Sequence, residues 1–410
     1  MNIYLALLFA VPALANFCWI IFILWNRAYT AAQDRGLAAP AAWPSVDICV
    51  PARDEERNIE RCVRSLCLQE YPGDWRVSVL DDESSDRTLE ILLALQKEFP
   101  QRLHVIDGKR DPLPPGWVGK VWATTRMGKL ATRDWLLFFD ADTFHAPNML
   151  REVMLRALRP VGAGEKPVGL VGGCPKLEQI SLGEQFAMPT ISLMYALGPI
   201  ALTRNSRQMP PVPGFFHLFT RESYNAVGGY ARVWDKVLDD VEMAAAINSG
   251  GFQTRIIDPS PFMGLRMYQS LREIWFGLHK STGYIVRRSP LFAIAFLLWL
   301  LWTGALPFLA PLTPFLNAGI TPCIVAAMAL SAVIAMRTLM WSKDGGAWWS
   351  ILLHPFLCWL VGWNCVMSAL DLWRGRGVRW KNRWYDKRVK FAPEPQKTGQ
   401  KTLPSGVANQ

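Results

Sequence analysis

The placement of four long apolar runs constrains this chain more than any other feature. One opens it, from Ile3 to Trp25, and three more lie near 291–310, 318–336 and 347–370. About 20 apolar residues in a helix match the thickness of a bilayer core. The two ends therefore read as membrane helices, and the mixed-polarity stretch between them as a folded domain. The first run has no basic segment ahead of it and no convincing small-residue cleavage site, so residues 1–26 are expected to stay as an anchor.

The three later segments, expected over 290–371, are separated by Pro/Gly breaks or a short polar loop. Arg287 and Arg288 place the start of the first on the cytoplasmic side. Residues 371–410 hold ten Lys/Arg against three Asp/Glu, most of the chain's net charge of +10. Three full crossings would put that basic tail outside, against the positive-inside rule. One segment, Pro-rich 305–322 or part of 347–370, is therefore expected to be re-entrant or interfacial, with tail 372–410 cytoplasmic and its end disordered. Basic residues beside an apolar segment suit an anionic bilayer surface. No groove-reading motif or zinc-finger spacing accompanies the charge, so no nucleic-acid partner is expected. Of eight Cys, Cys18, Cys323, Cys358 and Cys365 lie in apolar runs and the rest lack paired spacing, which favours a reducing setting over disulfides or zinc.

From Val46 to about residue 260, short apolar runs alternate with amphipathic segments, the pattern of an α/β domain with a mostly parallel sheet. Strands are predicted at 46–50, 77–81, 103–106 and 135–139, and helices near 57–70, 86–98 and 119–131. Ligands of such sheets sit beyond the carboxyl ends of the strands. Residues 269–289 mix Trp, Phe and Ile with Arg and Lys at helical spacing and read as an amphipathic interfacial helix, or as an ordinary surface helix. Residues 186–202 are apolar but broken by Pro189 and Pro199, which suits a lipid-facing ledge or a buried helix better than a full span.

Carboxylates gather where the predicted strands end. "WLLFFDADTF" closes a strand with Asp140 and Asp142, two hard oxygen ligands able to hold Mg²⁺ or Mn²⁺ against a diphosphate. The same pattern opens aspartyl-phosphate hydrolases, but there it begins the domain and carries Thr or Val one position later than Thr143. "VPARDEE" follows the first strand and "VLDDESSDRT" the second. Asp81 or Asp82 could accept hydrogen bonds from a base or ribose, and Asp82 to Thr88 also reads as a helix cap. "LPPGWVGKVWA" delivers Lys120 to the sheet edge as a point charge for a diphosphate, with Trp117 and Trp122 free to stack or simply to pack. In "VLDDVEMAAAINSGG", Asp239 and Asp240 begin a helix. A carboxylate there could take a proton from an acceptor hydroxyl, or merely favour the helix dipole. The five His show no ligand spacing and read as structural.

In their order and spacing, "VPARDEE", "VLDDESSDRT", "FFDAD", "GFFHLFTRESYNAVGGY" and "VLDDVEMA" resemble the family 2 glycosyltransferases over residues 46 to about 290. "LPPGWVGKVWA", "RRSP" and "GVRWKNRWY" resemble more narrowly the HpnB-type hopanoid-associated glycosyltransferases, which are similar to ceramide glucosyltransferases. The resemblance implies a GT-A domain over 42–268, a nucleotide-diphosphate sugar donor (a UDP-sugar foremost), a divalent metal and inversion at the anomeric carbon. Pro51, Ala52, Arg53 and Glu55, with Asp81 and Asp82, would hold the nucleoside, and Asp140 and Asp142 would flank diphosphate and metal. Asp240 becomes the general-base candidate, though Asp239 stands where the family often has Glu and the choice between the neighbours stays open. Of the Gln-X-X-Arg-Trp motif of processive members, Gln269 and Arg272 match and Glu273 replaces Trp. That departure favours one transfer to a lipid acceptor (hopanoid-, sphingolipid- or carotenoid-like) over polysaccharide synthesis. The implied enzyme is a multi-pass protein of the inner (cytoplasmic) membrane with its catalytic domain in the cytoplasm. An inactive membrane scaffold that retains the fold is the alternative outside catalysis, yet no motif has lost its acids.

Overall fold

The computed structural model describes residues 2–385 save 190, 191, 193–199, 209, 237, 287, 288, 318, 377, 381 and 382. Pro199, Arg287, Arg288 and the end of the basic tail, which carried sequence expectations, lie outside the described residues. Strands β1 (Val46–Ala52), β2 (Trp75–Asp81), β3 (Leu103–Asp107) and β4 (Trp135–Phe139) form where the alternation places them. Their ends shift by no more than two residues, within the fraying expected of strand ends. Downstream come β5 (Thr143–His145), β6 (Val168–Gly172), β7 (Lys176–Leu177), β8 (Phe216–Thr220), β9 (Gln253–Ile256) and β10 (Met263–Leu265).

Seven strands make the main sheet in the order β3-β2-β1-β4-β8-β6-β9. The pairs β1–β2, β2–β3, β1–β4 and β6–β9 are parallel, while β8 runs antiparallel to both β4 and β6. β4 reads WLLFF, without polar alternation, because both faces are covered. Leu137 and Phe139 pack with Ile48, Val50 and the Ile59–Cys67 helix on one side. Leu136 and Phe138 pack with Cys49 and the Gly119–Leu130 helix on the other.

Register decides where the chemistry lies. Ala52 stands opposite Asp81 and Asp81 opposite Asp107, so three carboxyl ends finish level. Because β8 is antiparallel to β4, with Phe216 opposite Phe139, the residues entering β8 lie beside the residues leaving β4, and the Asp140 N–H donates to the Phe215 carbonyl at 3.2 Å. A second sheet, β5-β10-β7, braces the Asp-X-Asp turn from outside.

Four helices are long and apolar enough to cross a membrane: Ile3–Gln33, Pro290–Leu316, Ile320–Asp344 and His354–Trp373. The Pro290–Leu316 rod is the irregular one. It starts α-helical with Pro290 in its first turn, capped by the Ser289 hydroxyl, and passes through a π turn at Leu301–Ala305. It ends as 3₁₀ helix over Leu306–Leu316, where Pro307, Pro311 and Pro314 lack the N–H groups an α-helix needs. A helix forms over Leu271–Val286, within the stretch expected to be interfacial, and packs against the His354–Trp373 helix. The Thr282 hydroxyl meets Asn364 at 2.9 Å and the Asn364 amide donates to the Trp275 carbonyl. Ile274 and Leu278 are buried, whereas Leu271 and Phe276 stay exposed.

Candidate active site

The ends of β1, β4 and β8 and the first turns of two helices converge on one pocket lined by Pro51, Lys120, Thr124, Phe138, Phe139, Asp140, Gly214, His217 and Tyr230. Lys120 sits in the first turn of the Gly119–Leu130 helix, and its Nζ lies 2.5 Å from Asp140 Oδ1. Burial by itself would lower the ammonium's pKa. The charges of Asp140, Asp239 and Asp240 outweigh it and raise the pKa, so Lys120 keeps its proton. One cation is thus surrounded by three of the carboxylates picked out in the sequence.

Asp239 and Asp240 open the Asp239–Ser249 helix. Asp239 is buried and Asp240 half-buried. Asp240 is held by two backbone donors, Gly214 N–H to Oδ2 at 3.0 Å and Val241 N–H to Oδ1 at 2.8 Å. A Cβ on Gly214 would lie 3.0 Å from Asp240 Cβ and 3.1 Å from Oδ2, tighter than ordinary contact. Glycine is needed there for the approach itself. Gly214→Ala is expected to displace the carboxylate by a few tenths of an ångström and slow turnover by roughly 10- to 100-fold, with a near-normal melting temperature. Steady-state kinetics beside a melting curve check this.

Asp142 is fixed through its backbone, its carbonyl accepting from Arg266 N–H at 3.0 Å at the end of the β5–β10 pairing. Arg266 in turn grips the fully buried Glu184 with two donors, at 2.9 and 3.3 Å. Tyr268 follows on the same strand exit. Burial, joined by the charges of Asp142 and Asp140, raises its phenol pKa.

The loops after β1 and β2 are laced together. Asp54 Oδ1 accepts from the Ser85 backbone and hydroxyl at 2.8 and 3.0 Å, and the Glu55 N–H donates to Thr88 Oγ1 at 2.8 Å. Arg53 reaches the Asp82 carbonyl and lies within 3.9 Å of Asp54, Asp82 and Glu83 carboxylates. Asp54 and Glu83 have φ of 51° and 57°, left-handed conformations that non-glycine residues adopt only when their surroundings impose them. Ala52 is buried and contributes its carbonyl, which accepts from Asp82 N–H at 2.7 Å. Asp81 is fully buried at the β2 end. Burial raises its carboxyl pKa against the opposing hydrogen bonds from Ser84. The capping alternative for this loop is carried by Asp86, which accepts from Thr88 N–H at 3.0 Å.

Gln269 reaches across to these loops, its amide donating to Asn58 Oδ1 at 3.1 Å, and Asn58 holds Glu55 at 3.1 Å. Arg272 is exposed, and its guanidinium lies 6.0 Å from the Phe276 ring centre. Glu273, in the position of the motif's Trp, accepts from the Gln269 N–H at 2.8 Å and pairs with Arg57 at 3.5 Å. Trp117 and Trp122 pack edge to face at 5.0 Å, with Trp234 tilted against Trp117. They take the packing alternative.

His217 and Tyr230 join the pocket without any spacing signal to mark them. His217 Nδ1 lies 3.0 Å from the Tyr230 hydroxyl, and both side chains are buried beneath Asp140 and Asp239. The one hint in the sequence was a polar residue inside the apolar strand FHLFT. Burial lowers the pKa of His217 to about 4 and that of His145 to about 3. Both rings are neutral in the fold and gain protons below about 6.5 when unfolded, so the stability they contribute is complete above pH 6.5 and is lost as pH falls toward 4. The thermal midpoint is expected to drop steadily between pH 7 and pH 4.5, and His217→Gln should flatten that slope.

Residues 47–164 match the model of Glycosyl transferase family 2. The 4,4'-diaponeurosporenoate glycosyltransferase of Staphylococcus aureus is 26% identical over 261 residues, 62% of this chain and 66% of that protein. The beta-monoglucosyldiacylglycerol synthase of Trichormus variabilis is 38% identical over 112 residues, 27% of this chain and 23% of that protein. The chain thus spans just under two thirds of the length of the first relative. A mannosyltransferase of Pyrobaculum calidifontis, solved in complex with GDP-Man and Mn²⁺, superposes with a TM-score of 0.49 at 18% identity, over 89% of this chain and 99% of that one. The family 2 glycosyltransferase match thus falls on β1 to β5 of the α/β domain, the stretch that carries Asp81, Asp82, Lys120, Asp140 and Asp142.

Proposed function

We propose that the chain is a membrane-embedded, inverting, non-processive glycosyltransferase that moves one sugar from a nucleoside-diphosphate sugar to a lipid. The observation that carries this reading is the meeting of Lys120, Asp140, Asp239 and Asp240 at the joined ends of β4 and β8. Four apolar helices beside that domain support the lipid half, as do relatives whose names specify a carotenoid acid and a diacylglycerol glycolipid. A hopanoid is one of several lipid classes that fit this reading.

In this reading the acceptor hydroxyl approaches Asp240, which is half-open and aimed by Gly214, while its neighbour Asp239 lies buried toward Lys120. The acceptor oxygen bonds to the anomeric carbon from the face opposite the diphosphate, its proton passes to Asp240, and the anomeric carbon's bond to the diphosphate oxygen breaks. Lys120 takes up charge on the departing diphosphate. The loops at Pro51–Glu55 and Asp81–Asp82, with Gln269 lying over them through Asn58, would hold the nucleoside. Exposed Arg272 would reach the diphosphate from the rim.

Asp140 and Asp142 suit Mg²⁺ or Mn²⁺ in chemistry, being hard oxygen donors one residue apart. Among the described residues no group of three or more His, Cys, Asp or Glu forms a metal cluster, so donor phosphate oxygens and water would complete the shell. When bound, the ion supplies neutralising charge to the leaving diphosphate. Glu273 in place of the motif's Trp removes a stacking surface and ties Gln269 down, which favours one transfer over polymerisation.

We place the protein in the inner (cytoplasmic) membrane, the catalytic domain and basic tail facing the cytoplasm. Because the Ile320–Asp344 helix ends against that domain, the Pro290–Leu316 rod would cross, and His354–Trp373, which lies alongside the Leu271–Val286 helix, would be the part that does not. Purified chain with Mn²⁺ and a panel of nucleotide sugars is expected to release nucleoside diphosphate from one of them, tenfold or more faster when lipid extract is added. Release that ignores lipid and builds chains of sugar would instead mark a polysaccharide synthase.

A further inference from the structure

Arg337 lies in the Ile320–Asp344 span and is only 2% exposed, one of the largest fully buried side chains of the protein. An arginine in such a helix normally faces a carboxylate or water. Among the described residues its side-chain partner is the Ser350 hydroxyl, 3.4 Å from Nη2, and Nε has none. Among the described residues no carboxylate lies within 4.0 Å of the guanidinium. Asp344, two turns on, accepts from the Ser192 hydroxyl, and Lys343 pairs with Asp258 at 3.6 Å.

His354 opens the last span within electrostatic reach of the Arg337 guanidinium. It is likewise 2% exposed, its Nε2 lies 3.5 Å from Cys358 Sγ, and its Nδ1 is without a partner. The neighbouring rod is shaped to this ring. The π turn at Leu301–Ala305 brings Gly304 so near that a Cβ there would lie 3.1 Å from His354 Nε2 and 2.4 Å from Cys358 Sγ. π turns recur at functional sites. Two unsatisfied donor-capable nitrogens and a hydroxyl, all buried, thus converge where three membrane helices meet.

Depth adds to this. The Ile320–Asp344 helix ends against the catalytic domain, where Lys343 Nζ also donates to the Cys174 carbonyl. Arg337 lies seven residues before that end, roughly 10 Å deeper at 1.5 Å per residue. That is the level of the headgroup and upper acyl region on the catalytic side. Leu357, one turn beyond His354, packs with Phe215, the residue next to Gly214 of the active site.

We infer that Arg337, Ser350 and His354 form a binding site for one anionic oxygen group, a phosphate or carboxylate, carried into the bundle by a membrane lipid. A fork of guanidinium donors matches such a group in shape and charge, and an anion would give a direct partner to a buried cation that Asp344 reaches only from two turns away. The site stands apart from the sugar-donor pocket and does not depend on the transferase reading.

The test uses the full chain in nanodiscs of phosphatidylcholine, with or without phosphatidylglycerol, followed by mass spectrometry of lipid that stays bound after extraction. Wild type should retain phosphatidylglycerol about tenfold above its share of the bilayer, the worth of one charge-assisted contact. Arg337→Gln and Ser350→Ala should each reduce that enrichment, the first to bulk composition. If wild type shows no lipid enrichment but inorganic phosphate raises its thermal midpoint in neutral discs, and not that of Arg337→Gln, the anion chemistry holds with a free phosphate as occupant. If neither lipid nor phosphate distinguishes wild type from Arg337→Lys and Ser350→Ala, both of which keep the helix and its charge, the site does not exist.

Discussion

Replacing Asp240 by Asn is expected to slow sugar transfer by roughly 10²- to 10⁴-fold, the range general-base catalysis supplies. The change is isosteric. Both backbone donors that hold Asp240, from Gly214 and Val241, can still find the amide oxygen one at a time, so the helix start survives. Donor binding should remain within a few-fold of wild type, because Lys120 keeps Asp140 2.5 Å away. Asp239→Asn separates the two neighbours. Asp239 is buried beside Lys120 and Tyr230, so its neutralisation should weaken donor binding more than it slows a bound donor. Single-turnover rates beside donor titrations read both effects. Full turnover in Asp240→Asn with loss in Asp239→Asn would move the base to its neighbour.

The second large effect is expected at Asp142. Asp142→Ala should lower metal-dependent turnover by about a thousandfold, several kcal/mol of lost charge stabilisation on the leaving group. The backbone bond from Arg266 to the Asp142 carbonyl does not involve the side chain, so the fold should hold. Mn²⁺ titration in the presence of nucleoside diphosphate, followed by calorimetry, should show metal binding in wild type and none in the variant. Steady transfer in the presence of chelator would remove the ion from the reaction. Phosphorylation of Asp140 during turnover would point to the hydrolase chemistry instead.

Much of this site was legible in the sequence because the elements that form it are local. The strands β1 to β4 are short apolar runs followed by turns, and each critical acid lies within three residues of the end of its strand or the start of its helix. Parallel pairing then sets Ala52 level with Asp81, and Phe138 level with Cys49, without further information. Lys120 and Asp240 were legible as helix starts, but their meeting was not. It depends on β8 inserting antiparallel between β4 and β6, a pairing across some eighty residues that leaves no periodic trace. His217 and Tyr230 were hidden for the same reason. Each looks like a single polar group among apolar ones until β8 lays His217 beside Asp140. The second sheet, whose strands are two or three residues long, is too short to carry an alternation pattern at all.

The membrane half divides similarly. Length and apolarity marked all four candidate spans, and the proline spacing marked Leu306–Leu316 as irregular. Arg337 passed unnoticed. One basic residue near the end of an apolar run is ordinary where it can extend to the interface. Only the packing of three helices shows that this one turns inward.

The most direct test is a mass balance. Purified full-length chain, reconstituted in nanodiscs with Mn²⁺, a radiolabelled nucleotide sugar and a total lipid extract, is followed by chromatography of the lipid phase. The expected result is one new glycolipid carrying a single sugar of inverted configuration, formed mole for mole with nucleoside diphosphate and absent with Asp240→Asn. Label recovered only as free sugar or as a water-soluble polymer, with none in the lipid phase, would contradict it.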